Sequence, residues 1–289
     1  MALRGKKPEA SQKRFKGLFF GSAGVGKTMA AIQFPRPYLI DTERGAENDA
    51  YVDLINKGQG AAFQTTDFEE MVDEVKALLS TSHEYRTLII DPITTVYDDL
   101  LEQSALKVGT DFGRHYGEAK KRWKHLANLV FRLDMNVIIT SHAKNLYGDA
   151  MAITGKTFDG PKGMDHMFDF AFEIDKRGEA RVGIVKKTRM GGPGQFPESE
   201  VFPFSYQEIA DRYGRDILER QAVAVALASE DQVATIKALL PDSGVSSEAV
   251  DKWLAKEKAA DFTEVSEEKA TKFVEYLKSQ INAKKAKVS

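Results

Sequence analysis

The 289-residue sequence has no cysteine, which removes disulfide cross-links, thiolate metal sites and cysteine nucleophiles together. A dominant charge is missing too: 41 basic against 43 acidic residues leave a formal net charge of −2. Contacts with a polyanion therefore have to come from local patches. Apolar runs long enough to span a bilayer are absent. The opening "MALRGKKPEASQKRFK" is basic but lacks the apolar centre of a secretory leader. These absences lead us to expect a cytoplasmic protein with a flexible basic arm, residues 1–14, and no membrane contact.

Hydrophobic residues make up 42% of the chain, enough for one substantial α/β core and a small second module. The most specific signal is "GLFFGSAGVGKT", Gly17 to Thr28, where an apolar run meets G-x-x-x-x-G-K-T ahead of a helix-compatible segment. In such a loop the glycines let main-chain amides surround phosphate oxygens, the lysine reaches the outer phosphates and the hydroxyl binds Mg²⁺. The reading assigns Gly21, Ser22, Ala23, Gly24, Val25, Gly26, Lys27 and Thr28 to ATP and Thr28 to Mg²⁺, with Tyr51 as a stacking surface for adenine.

Downstream, short apolar strands alternate with amphipathic helices. "PYLIDTERG" ends in Asp41 and Glu43, "RTLIIDPITTV" in Asp91, and "NVIITSH" in Thr140, Ser141 and His142. Alternation of this kind predicts a mostly parallel, twisted sheet, and ligands of such sheets bind at the carboxyl ends of the strands. Asp91 is the natural second metal-binding group. Glu43 is placed to deprotonate an attacking water. The stretch from Lys144 to Lys162 shows no period and reads as a long functional loop. The expected organisation is an ATPase core over 15–215, a linker over 216–228, a helical bundle over 229–282 and a frayed tail over 283–289. In the bundle, Ser229 with Gln232 forms a capping box, and Ser247 and Ser266 open further helices.

Taken together, "GLFFGSAGVGKT", "YLIDTERG", "LIIDPITTV" and "VIITSHAKN" resemble, in this order, the RecA-like P-loop NTPase core over about Phe15 to Phe204. The chain looks closest to the phage Sak-four ATPases of single-strand DNA recombination. The resemblance implies that Glu43 activates water and that His142 senses nucleotide where the bacterial recombinase has glutamine. It also implies a catalytic set of Lys27, Glu43, Asp91 and His142, and trans-acting cations from a neighbouring subunit among Lys186, Lys187 and Arg189.

Two DNA loops are implied as well. "KVGTDFGRHYG" contributes Arg114, His115 and Tyr116, and the later loop contributes Lys144, Lys156 and Lys162, with Phe112, Tyr147 and Phe158 available to stack on unpaired bases. The implied partners are single-stranded DNA, further copies of the chain in a filament or ring, and an annealing or single-strand-binding protein at the C-terminal helices. The setting would be an infected bacterium. Two other readings stay open: a protein-partnered motor or packaging ATPase, and a nucleotide-gated DNA-loading factor with little turnover.

Overall fold

The structure is a computed structural model that describes residues 13–45, 48–148, 152–192 and 195–288. The expected basic arm up to residue 12 and Ser289 at the end of the expected tail lie outside the described residues. The elements run β1 (Lys16–Gly21), α1 (Lys27–Ala31), β2 (Pro37–Asp41), α2 (Asp49–Lys57), β3 (Ala61–Gln64), α3 (Phe68–Ser80), β4 (Thr87–Asp91), α4 (Ile93–Val108) and α5 (Arg114–Arg132). They continue with β5 (Asn136–Tyr147), β6 (Ile153–Phe158), β7 (Phe170–Arg177), β8 (Ala180–Thr188) and β9 (Val201–Pro203). Five helices follow: α6 (Tyr206–Tyr213), α7 (Arg215–Glu219), α8 (Glu230–Ser243), α9 (Ser247–Glu257) and α10 (Glu267–Val288). The last of these runs on into the stretch expected to fray.

The chain divides into two compact units. The first holds the segments up to Thr66, Glu84–Asp98 and Met135–Ala222; the second holds Asp67–His83, Asp99–Asp134 and the chain from Val223 onward. The first unit is a mixed α/β structure whose sheet has the order β3-β2-β4-β5-β1-β7-β8-β9. Pairing is parallel from β3 through β7 and antiparallel from β7 to β9. Strands β1, β2 and β4 are buried at every position, which is why they read as unbroken apolar runs and not as alternating ones.

The core of this unit is an apolar cluster rich in phenylalanine, including Phe15, Phe19, Phe34, Phe170, Phe172 and Phe204. Phe15 stacks on Phe170 at 5.1 Å, and Phe19 meets Phe204 edge-on at 5.0 Å. Burying each such ring contributes about 1.5–3 kcal/mol. The register brings the functional strand ends to one edge: Gly21 lies opposite His142, and Asp41 opposite Asp91.

Two expectations are corrected here. The stretch from Lys144 to Lys162, expected as an irregular loop, is largely a β-hairpin: β5 continues to Tyr147 and β6 returns antiparallel, from Ala143 opposite Phe158 to Tyr147 opposite Ile153. Its outer part is exposed on both sides, so it carries no burial pattern, while the Ile, Thr and Phe content of "ITGKTF" favours extended backbone. Phe158 is not held out for stacking; it packs edge-on against Phe20 at 6.4 Å. The other expected loop, Lys107 to Gly117, is mostly helical: α4 reaches Val108 and α5 starts at Arg114. A lone glycine such as Gly117 is tolerated inside a helix.

In the second unit, α3 is capped by the Asp67 carboxylate, which accepts from the amides of Glu69 and Glu70. Ser229 and Gln232 form the expected capping box of α8, and Ser246, one residue earlier than expected, caps α9. Ile236, Phe273 and Leu277 anchor an apolar cluster in which Trp253 stacks on Phe273 at 4.1 Å.

The same unit holds a carboxylate that is only 1% exposed, Glu264. It accepts from His125 Nε2 at 2.7 Å, Lys76 Nζ at 2.9 Å and the Ala260 amide at 2.7 Å. Burial pushes this carboxyl up, but the bonds from His125, Ala260 and Lys76 outweigh burial and hold it at about 2. No helix among the described residues is long and apolar enough to cross a membrane.

Candidate active site

The loop between β1 and α1 turns through Gly24 at φ 75° and Gly26 at φ 88°, a left-handed conformation that glycine adopts without a Cβ penalty. Ser22, Ala23 and Gly24 are exposed, and nothing lies within 4 Å of where a Cβ on Gly24 would stand. The loop therefore offers open main-chain amides on its outer side. Because α1 is only five residues long, these loop amides contribute more than a helix dipole would. Arg181 from β8 supports the loop from behind: its Nε donates to the Val25 carbonyl at 3.0 Å, and its guanidinium fills the space a side chain on Gly26 would need.

Lys27 is buried, and its ammonium donates to the carbonyls of Gly21 at 3.0 Å and Ser22 at 3.1 Å. Burial lowers its pKa, opposed by the charges of Asp91 and Glu43. A cation held on two neutral carbonyls, with carboxylates near but not paired to it, is arranged to accept an anion.

Asp91, at the end of β4, is 8% exposed. Thr28 Oγ1 donates to its Oδ2 at 2.6 Å, and Thr140 Oγ1 donates to its Oδ1. Burial raises its pKa; the two threonine bonds and Lys27 oppose this, and the charge of Asp41 adds to it. A buried carboxylate bonded only to hydroxyls is short of positive charge, which a divalent cation would supply.

The Thr28 hydroxyl beside Asp91 Oδ2 matches how Mg²⁺ is held, by one or two protein oxygens with phosphates and waters completing its shell. Among the described residues no group of three or more His, Asp or Glu forms an all-protein metal cage, and magnesium does not require one. The chain belongs to the AAA domain family. The family model covers residues 13–188, from the start of the described chain to the end of β8.

No curated protein matches the sequence of this AAA domain. Among solved structures it is similar to the RadB recombinase, with 17% identity, a TM-score of 0.43, and coverage of 67% of this chain and 87% of that one. It is also similar to a DnaB-like replicative helicase solved for its interactions with primase, with 10% identity, a TM-score of 0.39, and coverage of 63% of this chain and 55% of that one.

Beyond β2, Glu43 is fixed from both directions. Its amide donates to Asp41 Oδ1 at 3.1 Å, and its Oε1 accepts from Thr95 Oγ1 at 2.8 Å, with His142 Nε2 at 3.4 Å. Both Glu43 and His142 remain about 40% exposed, at 43% and 40% of their side chains, so solvent reaches them. His142 is tied to α4, where its amide donates to Thr94 Oγ1 at 3.0 Å. The structure thus brings Lys27, Thr28, Glu43, Asp91 and His142 to one sheet edge.

The remaining expected residues are dispersed. Tyr51, on α2, is half-buried against the phenylalanine-rich cluster. In β8, Lys186 pairs with Glu173 at 2.8 Å, and Lys187 donates to the carbonyls of Asp165 and Phe168 at 2.5 and 3.0 Å. Arg189 pairs with Asp169 at 3.0 Å. Lys144 pairs with Asp159 at 3.0 Å, and Lys162 is exposed on the segment after β6.

In the second unit, Arg114, His115 and Tyr116 form the first turn of α5. There Tyr116 is 59% exposed, and Phe112 is fully exposed at φ 53°. Lys156, expected in a DNA loop, donates instead to Ser22 Oγ at 3.0 Å.

Sequence reasoning gave no role to Thr140, Thr95 or Arg181. Thr140 carried a usable signal, because "IITS" and "LIID" end apolar strands at matching positions, so the polar terminal residues of adjacent strands meet. Arg181 carried none, since it arrives on an antiparallel strand that follows the hairpin.

Proposed function

We propose that this chain is a RecA-like ATPase of the phage recombination type, which hydrolyses ATP with Mg²⁺ and assembles as a filament or ring on single-stranded DNA. The observation that carries the reading is the shared edge on which Lys27, Thr28 and Asp91 stand beside Glu43. In this proposal Lys27 leaves its two carbonyls for the outer phosphate oxygens, a stronger charge-assisted bond. Thr28 and Asp91 hold magnesium, which when bound neutralises charge on the phosphates. Glu43 orients the attacking water and takes its proton, with Thr95 and His142 fixing the carboxylate. Tyr51 takes the adenine.

The DNA assignment draws on the exposed rings of Phe112 and Tyr116 beside Arg114, and on exposed Tyr147 with Lys144 on the hairpin. These pair stacking surfaces with phosphate-binding cations. Lys162 adds a further cation. Among Lys186, Lys187 and Arg189, a trans-acting residue would exchange its present partner for a neighbour's terminal phosphate on assembly. The C-terminal helices are the proposed contact for an annealing or single-strand-binding protein.

The test is phosphate release with and without single-stranded DNA at low salt. Turnover is expected to rise with DNA, and Glu43→Gln is expected to bind nucleotide normally while hydrolysis falls roughly 10²–10⁴-fold. Unchanged turnover in that variant removes the base, and the absence of any DNA response removes the DNA assignment.

A further inference from the structure

Lys156 is the one hairpin side chain that reaches the phosphate loop by a hydrogen bond among the described residues, with Nζ on Ser22 Oγ at 3.0 Å. Lys27 Nζ lies on the main-chain oxygen of the same residue at 3.1 Å. Two cations from distant parts of the chain therefore converge on Ser22, and one of them is the lysine whose task in such loops is to reach the outer phosphates.

The path from β6 is well defined. Residues two apart on a strand share a face, so Lys156 and Phe158 point the same way. Phe158 packs on Phe20 and Lys156 meets Ser22, two residues on. The base of the hairpin is fixed as well: the Asp159 amide donates to the His142 carbonyl at 2.8 Å, and the hydroxyls of Thr94 and Ser141 both donate to the Asp159 carbonyl at 2.8 Å. Thr94 also receives the His142 amide. At the outer end, Leu146, Tyr147 and Ile153 are 46%, 57% and 62% exposed.

We infer that Lys156 is a terminal-phosphate sensor acting within its own chain: it leaves Ser22 for the third phosphate of a bound nucleoside triphosphate and carries the β5–β6 hairpin with it. The inference rests on the reading of the loop as an ATP site. An ammonium on a neutral hydroxyl gains by moving to a phosphate oxygen, because charge-assisted bonds are about twice as strong as neutral ones. A nucleoside diphosphate offers no third phosphate, so the position of the hairpin depends on which nucleotide is bound. Lys156 thus joins hydrolysis to the exposed apolar end of the hairpin without a second subunit.

The experiment measures binding of a nonhydrolysable ATP analogue and of ADP to the full chain by calorimetry, together with amide hydrogen exchange over 143–147 and 153–158. Wild type, Lys156→Met, Lys156→Arg and Lys27→Ala are compared. Lys156→Met is expected to lose roughly ten- to a hundredfold in affinity for the triphosphate analogue and little for ADP, the range of a hydrogen bond to a charged group. Lys156→Arg should recover most of the loss. Exchange in the hairpin should respond to the triphosphate in wild type and not in Lys156→Met.

Equal losses for both nucleotides, no loss, or a hairpin that responds identically in Lys156→Met overturns the inference while leaving the ATP site intact. If wild type binds neither nucleotide, or binds both no better than Lys27→Ala does, the ATP reading falls and the inference with it.

Discussion

Two buried carboxylates, one in each unit, meet opposite fates. Glu264 is surrounded by Lys76, His125 and an amide and is held at about 2. Asp91 is bonded to two threonine hydroxyls and its pKa is raised by burial. The first has its charge neutralised by the protein and acts as a structural clasp. The second keeps a deficit of positive charge, and folding bears that cost at the place where magnesium and phosphate are expected. A buried acid left short of donors and positive charge marks a site; one enclosed by a lysine, a histidine and an amide marks a joint.

The sharpest way to break this contrast is Asp91→Asn. ATP hydrolysis should fall roughly 10²–10³-fold, yet denaturant unfolding of the nucleotide-free protein should show no loss of stability, since the ionised form is the one that burial penalises. The sign follows from the raised pKa: the stabilising effect of protonating Asp91 is present below the ordinary carboxylate value and is lost as pH rises through its folded value. A clear drop in nucleotide-free stability would put Asp91 in the same class as Glu264.

Glu264→Gln should do the reverse. Its folded pKa lies below the unfolded one, so its stabilisation is present above about pH 4.3 and disappears as pH falls towards 2, amounting to about 3 kcal/mol near neutrality. Unfolding curves of wild type and variant should therefore separate at pH 7 and converge in strong acid; curves that stay parallel across that range would show that the clasp is not ionic.

Saturating magnesium and the triphosphate analogue, at about 100 times Kd, should stabilise wild type and Glu264→Gln by about 2.7 kcal/mol and Asp91→Asn by much less. Equal increments in all three would place the metal elsewhere. The smallest effect is expected for Thr140→Val, which removes one bond to Asp91 and should slow turnover about tenfold. Because that bond lowers the Asp91 pKa, the acidic limb of the pH–rate profile should move to higher pH. A profile that shifts the other way would mean that Thr140 does not serve the ionised form.

Legibility differed from place to place for physical reasons. The phosphate loop could be read because its chemistry is local: glycines, lysine and threonine within eight positions of one turn. Asp41 and Asp91 stand out because buried parallel strands are apolar up to a terminal acid, and Glu43 follows two residues after the first of them. The hairpin could not be read, since a strand exposed on both faces has no hydrophobic period. Nor could the destination of Lys156, because a cation beside Thr and Gly looks the same whether it faces solvent or a loop 134 residues away.

The sequence by itself determined the phosphate loop, the alternation of buried strands with amphipathic helices and the polar residues at the strand ends, because each follows from short-range periodicity or a contiguous motif. The tertiary structure decided which of those polar groups meet. Strand order placed Thr140 on Asp91, the hairpin delivered Lys156 to Ser22, and packing closed Lys76 and His125 around Glu264. Interactions between residues far apart in the chain depend on register and burial, and these are fixed only when the sheet is assembled.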